Sequence, residues 1–183
     1  MPRTRSVFVL GLLAGFAAVF ALLAANRPPP RTALVIKRLS GDVWVSEQIR
    51  RDDFAGLSEE HFKSIIDLRP DGEASDQLPS VQVERFARRR GMTFAYVPVP
   101  HGDIPSETVE KMSASLASAE KPVLLYCRSG RRAARTWALA EASRSGGMDA
   151  AAIEAAVRSV GQTPDGLHEL IAARIAARAS AGG

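Results

Sequence analysis

A single cysteine, Cys127, stands among the 183 residues. One thiol cannot form an internal disulfide, and a cysteine-rich zinc cluster is excluded with it. The fold must therefore rest on packing. Hydrophobic residues at 46%, with 24% charged and 6% aromatic, supply enough apolar surface for a core and exclude wholesale disorder. Positive charge is scarcer than the net +4 suggests. Arg3 and Arg5 belong to a first 25 residues that hold no acid, and beyond them 22 basic side chains face 20 acidic ones. So small an excess is a poor footprint for polyanion binding, and no nucleic-acid partner is expected. There is no internal repeat, and the length leaves room for one modest domain with an appendage.

What is present begins with a long apolar run. Ser6 to Asn26 carries no charge, and Val7–Ala25 is apolar or glycine throughout. As a helix this core spans about 28 Å, close to the roughly 30 Å of a bilayer's hydrocarbon layer. A cleaved export signal usually has a shorter apolar region, and cleavage after Ala25 would set Leu23 where a small residue is preferred. The expected division is a basic leader at 1–6, a transmembrane helix at 7–25, a Pro-rich linker at 26–32, a folded domain at 33–163 and a C-terminal amphipathic helix at 164–183. The leader favours an exported domain, while Arg27, Arg31, Lys37 and Arg38 behind the span pull the other way.

Beyond Ala33 the pattern alternates. Ala33–Leu39 and Val43–Ser46 read as strands around a Ser40-Gly41-Asp42 turn. A helix is expected over 51–62 with Phe54, Leu57 and His61 on one face, then a buried strand at Ser64–Leu68. Further helices are expected over 80–90, 105–119, 131–143, 150–160 and 164–179, with strands at 93–99 and 122–126. Asp149 is placed to cap the fifth of these six helices, and Leu167, Leu170, Ile171 and Ile175 share one face of the last. Alternating strands and helices imply an α/β domain with a mostly parallel sheet flanked by helices.

The sharpest signal is Val123-Leu-Leu-Tyr-Cys127-Arg-Ser-Gly-Arg-Arg-Ala-Ala134. A buried strand runs into a cysteine, a short polar loop and a helix. Amide N–H groups of such a loop and of the helix's first turn converge on one point, where the helix dipole adds positive potential. That field suits an anion and also favours the nucleophilic thiolate. Arg132 can add a bidentate fork to a bound oxyanion. Taken alone, Cys127 also reads as an ordinary buried cysteine at a strand end.

These residues resemble the phosphate-binding loop of the cysteine-dependent tyrosine and dual-specificity phosphatases, in particular the bacterial phosphatase-like domain found in beta-lactamase hydrolase-like proteins. The resemblance extends to Asp42-Val-Trp-Val-Ser-Glu-Gln48, to Ile65-Ile-Asp-Leu-Arg-Pro-Asp-Gly-Glu73 and to Tyr96-Val-Pro-Val-Pro100, and covers about residues 35–162. It implies a protein-tyrosine-phosphatase-like fold. It also implies a phosphorylated substrate, protein or small molecule, a cysteinyl-phosphate intermediate and no cofactor or metal, with a bacterial inner membrane as the location of the anchored chain. Cys127 is then the nucleophile and Arg132 the oxyanion clamp. Arg128, Ser129, Gly130 and Arg131 form the substrate loop, and Asp103 of His101-Gly-Asp-Ile-Pro105 is the general acid. Asp103 reads equally as a cap of the helix that follows, and His101 as a surface residue. Arg69 either faces the anion or pairs with Asp71 or Glu73.

One departure separates the chain from tyrosine phosphatases. Their arginine follows five intervening residues, a position held here by Ala133, whereas Arg132 follows four. The shorter loop is similar to that of the rhodanese sulfurtransferases, whose cysteine carries a persulfide. The alternatives are therefore a persulfide-based sulfurtransferase and a catalytically weak anion-binding module.

Overall fold

The computed structural model describes residues 33–181. The expected leader, transmembrane helix and linker at 1–32 lie outside the described residues. Among the described residues no helix is long and apolar enough to cross a membrane.

Five short strands form one sheet: β1 (Ile36–Ser40), β2 (Val43–Ser46), β3 (Ser64–Asp67), β4 (Thr93–Tyr96) and β5 (Val123–Tyr126). Their order is β1-β2-β5-β3-β4. The β1–β2 hairpin is antiparallel, and every other pairing is parallel. The helices are α1 (Asp53–Glu59), α2 (Ser80–Arg88), α3 (Ser106–Ser118), α4 (Arg131–Ser143), α5 (Ala150–Ser159) and α6 (His168–Ala181). This is the expected α/β architecture, and its mostly parallel sheet has β5 at the centre.

The strands follow the period of two that an extended chain imposes on its side chains. Val45, Ile66 and Leu125 point into one apolar layer with Val109 and Met112 of α3, Trp137 of α4, and Ile153 and Val157 of α5. Leu124, Ile65 and Tyr126 point into the opposite layer, against Phe54 and Leu57 of α1 and Val83 and Ala87 of α2. A strand covered on both faces has to be apolar on both, which is why Val123-Leu-Leu-Tyr126 is continuous rather than alternating. Leu167 and Ile171 bring α6 into the first layer, while Arg178 donates to the carbonyl of Glu141 in the last turn of α4 and to those of Arg144, Gly147 and Met148 just beyond it. Two of these carbonyls also accept backbone amides, Glu141 from Arg144 and Arg144 from Gly147, and the guanidinium ties all four to α6.

Three sequence expectations shift. His61 does not share the buried face of α1, because the helix stops at Glu59 and His61 turns outward with φ +63°, leaving Phe62 as the buried residue. The last helix begins at His168 rather than Pro164, after a turn closed by the Leu167 amide on the Pro164 carbonyl. Leu170 faces solvent instead of joining Leu167 and Ile171. Asp149 does cap α5, its carboxylate accepting from the Ala152 amide at 2.8 Å.

Because Leu124 is fully buried between β2, β3 and the α1–α2 layer, Leu124→Ala is expected to cost about 2–5 kcal/mol in urea unfolding. Val81→Ala, at a position 58% exposed on α2, should change stability by less than about 0.5 kcal/mol.

Candidate active site

The site lies at the carboxyl ends of β5 and β3, where open parallel sheets leave a crevice between successive strand-to-helix turns. Cys127 follows the last residue of β5, is 1% exposed, and belongs to the same apolar layer as α4. The next three residues, Arg128-Ser-Gly130, pass directly into α4 at Arg131.

Two neighbours shape this loop by pulling on its carbonyls. The Gln48 amide donates to the Arg128 carbonyl at 3.4 Å, and Gln162 Nε2 donates to the Ser129 carbonyl at 3.0 Å. In a planar trans peptide the N–H points opposite to the carbonyl, so tying both carbonyls outward turns the amides of Ser129 and Gly130 the other way. Gly130 takes φ +79°, and a Cβ there would lie 3.3 Å from the Ser46 carbonyl oxygen. Only glycine combines that backbone with such close packing. No side chain caps the N-terminus of α4, so its first-turn amides keep their donors for an acceptor outside the helix.

Arg132 is held by three acceptors. Nη1 and Nη2 grip the two oxygens of Glu73 at 2.5 and 2.7 Å, and Nη1 also donates to the Val99 carbonyl at 2.8 Å. Glu73 takes a further hydrogen bond from Arg69 Nε at 3.1 Å and faces His101 Nε2 at 3.3 Å. The Arg132 fork holds the Glu73 carboxyl down at about 2 against the opposing effect of burial, with help from Arg69 and His101. Glu73 in turn raises the pKa of Arg132, to which the adjacent Cys127 sulfur also contributes. The thiol therefore faces a guanidinium whose orientation is fixed from behind.

Arg69 departs from its expected place at the anion. Its side chain is buried and directed to Glu73 and to Gln48 Oε1, the latter at 2.7 Å. Of the pairings open to it in sequence, the one with Glu73 forms, and its role is to hold Glu73 rather than to line the crevice. Of the two roles open to Asp103 in sequence, the structure removes the helix cap. Asp103 is exposed, and α3 is entered through Pro105 without a side-chain cap.

The crevice itself is a cavity of about 340 Å³ bounded by His101, Gly102, Ile104, Arg128, Ser129, Arg131, Arg132 and Arg135. His101 is thus a wall residue and not only a surface loop residue. Sequence reasoning missed Arg135, one helical turn beyond Arg131, and Gln162, which reaches the loop from outside the motif. The spacing of four along α4 was the one signal for Arg135. Among the described residues no group of three His, Cys, Asp or Glu side chains is arranged to hold a metal ion.

Directly beside the loop, Asp67 and Tyr126 face each other across the β3–β5 pairing. Asp67 Oδ1 accepts from the Arg69 amide at 2.8 Å. Asp67 Oδ2 and the Tyr126 hydroxyl come close without reaching hydrogen-bonding geometry, and both are buried without a partner. Burial pushes the Asp67 carboxyl up to about 7, against the lowering effects of Tyr126 and the Arg69 amide.

Residues 35–144 match the family model described as the phosphatase-like domain of beta-lactamase hydrolase-like proteins. A beta-lactamase hydrolase-like protein of Xylella fastidiosa is 35% identical over 97 residues, which are 53% of this chain and 22% of that protein. One from Agrobacterium fabrum is 34% identical over 105 residues, 57% of this chain and 24% of the relative. The matched segment spans about a quarter of these relatives. Among solved structures, a candidate phosphatase from Neisseria meningitidis aligns at 28% identity with a TM-score of 0.67, covering 79% of this chain and 99% of the other. The core catalytic domain of a PP-IP phosphatase from S. cerevisiae aligns over 86% of this chain and 96% of its own, at 21% identity and a TM-score of 0.57. At that identity the yeast protein speaks for the fold alone.

The two shifted carboxyls predict opposite pH limbs. Asp67 has a folded pKa raised from 3.8 to about 7, so the stability linked to its proton is full below pH 4 and is lost as pH rises through 7. Asp67→Asn should therefore gain stability over the native chain by roughly 1–3 kcal/mol at pH 8 and little at pH 4, read as the difference in urea midpoint. Glu73 is depressed, so its contribution holds above pH 4.5 and fades as pH falls toward 2. A gain for Asp67→Asn that is equal at both pH values would contradict the assignment.

Proposed function

Because the chain belongs to the phosphatase-like domain family of beta-lactamase hydrolase-like proteins, we propose that it hydrolyses phosphate monoesters through a cysteinyl-phosphate. The observation that carries this reading is the placement of Cys127 beneath a loop with inward amides, opposite an Arg132 fork fixed by Glu73. The Cys127 thiolate attacks phosphorus in line as the bond to the leaving oxygen breaks. Loop amides and the Arg132 guanidinium carry the charge on the three equatorial oxygens, the electrostatic work a metal would otherwise do. A carboxylic acid protonates the leaving oxygen. Water then cleaves the S–P bond, its proton returns to that carboxylate, and inorganic phosphate departs.

Asp103 is proposed as the acid. It stands in the 101–105 loop, whose His101, Gly102 and Ile104 already form one wall of the cavity. Substrate contacts fall to Arg128, Ser129, Gly130 and Arg131. We propose further that residues 7–25 tether the domain to a bacterial inner membrane, with the catalytic side exported.

The short loop keeps sulfur transfer as the reading to be tested against this one. The full chain should release phosphate from an aryl phosphate in an orthovanadate-sensitive reaction that Cys127→Ser abolishes. Asp103→Asn should lower kcat by roughly 10²–10⁴, and an unchanged kcat removes Asp103 from the role. Thiocyanate formed from thiosulfate and cyanide, without phosphate release, would replace the phosphatase reading with a sulfurtransferase. Vanadate binding without either product would leave an anion-binding module.

A further inference from the structure

The cavity against the loop that follows Cys127 holds more positive charge than one phosphoryl group requires. Of its four arginines only Arg132 is paired with a carboxylate. Among the described residues the Arg128 and Arg131 side chains make no hydrogen bond or ion pair, and Arg135 gives Nη1 to the Asp165 carbonyl at 2.7 Å. No carboxylate lines the cavity. Burial holds the Arg135 guanidinium below its usual range, and the charge of Arg131 adds to that effect, partly offset by Asp165. Like charges gathered around a space of about 340 Å³ repel one another until an anion enters.

The walls also carry information about what accompanies the phosphate. Ile104 is the one sizeable apolar side chain among them, and His101, whose Nε2 faces Glu73, carries the one aromatic ring. An aryl ring needs apolar or aromatic walls to lose its water favourably. Three guanidiniums left over after Arg132 instead match oxygen-rich anions, which they bind in planar, bidentate fashion.

We infer that the site takes a small, non-aromatic molecule carrying two or more phosphate groups, with one phosphoryl in the Cys127 loop and another held by Arg128, Arg131 and Arg135. This rests on the phosphatase reading for which phosphoryl group reacts, but the binding preference stands on the cavity alone. Phosphates separated on a polyol and phosphates condensed in a chain share the recognised chemistry.

The test is calorimetric titration of full-length Cys127→Ser, which binds without turnover, using fructose 1,6-bisphosphate, tripolyphosphate, phenyl phosphate and a phosphotyrosine peptide. The same ligands should protect Cys127 of the native chain from iodoacetate in the same order, so a misfolded serine variant does not void the result. The bisphosphate or the tripolyphosphate should bind at least about tenfold more tightly than phenyl phosphate, with a steeper loss of affinity as salt rises. Whichever of the two binds tighter identifies separated or condensed phosphates. Adding Arg131→Gln or Arg135→Gln should weaken the favoured ligand by about tenfold, and phenyl phosphate by a smaller factor. Equal affinities, tighter binding of phenyl phosphate or the peptide, or no binding of any ligand overturns the inference. Loss of phosphate release by the native chain, with this preference intact, would count against the phosphatase reading alone.

Discussion

Everything around Cys127 depends on one carboxylate. Glu73 accepts both terminal nitrogens of Arg132 and the Nε of Arg69. A buried ion pair is no guarantee of stability, since desolvation of the charges can cancel their attraction. Its value here is orientation. With Nη1 and Nη2 committed to Glu73 and to the Val99 carbonyl, the guanidinium has one plane available and presents its remaining edge towards the thiol. A lysine could meet Glu73 as a point charge but could not transmit that orientation.

The network also joins segments distant in sequence. Gln48 follows β2 and binds both Arg69 and, through its backbone, the Arg128 carbonyl. Gln162, between α5 and α6, holds the next carbonyl of the same loop. The segments after β2, β3 and α5 thus converge on four residues at the end of β5. The sheet order places β5 between β2 and β3, so both neighbouring strands end where the loop needs support. Asp67 and Tyr126, paired across β3 and β5, bring a carboxyl oxygen and a hydroxyl without partners next to the start of the Cys127 loop. That arrangement costs stability, a pattern characteristic of functional sites rather than of structural ones.

Much of this was legible in sequence because it is local. The apolar run into Cys127, the glycine at the loop's tightest point and the arginine that opens a helix each follow from backbone geometry, and α4 begins and ends at the expected residues. The β2 strand and the Asp149 cap were legible for the same reason. What was not legible depends on partners far along the chain. The motif shows Arg69 near the site, but not that Glu73 and Gln48 draw it away from the crevice. Gln162 carries no local signal, since its importance comes from where α5 ends. His61 was misplaced because helical periodicity alone does not show that the chain turns left-handed after Glu59. The cationic character of the cavity was hidden by composition, because a nearly neutral domain concentrates four arginines within eight positions along one loop and helix.

The proposed chemistry requires that Cys127 accept a phosphoryl group. Rapid acid quench of the native chain during turnover of an aryl phosphate, followed by mass spectrometry of the Cys127 peptide, tests it most directly. An added phosphate is expected on Cys127, absent from the Cys127→Ser variant and accumulating further in the native sequence when the intermediate's hydrolysis is slowed. An unmodified peptide during turnover, or a peptide carrying only an additional sulfur after exposure to thiosulfate, would contradict it.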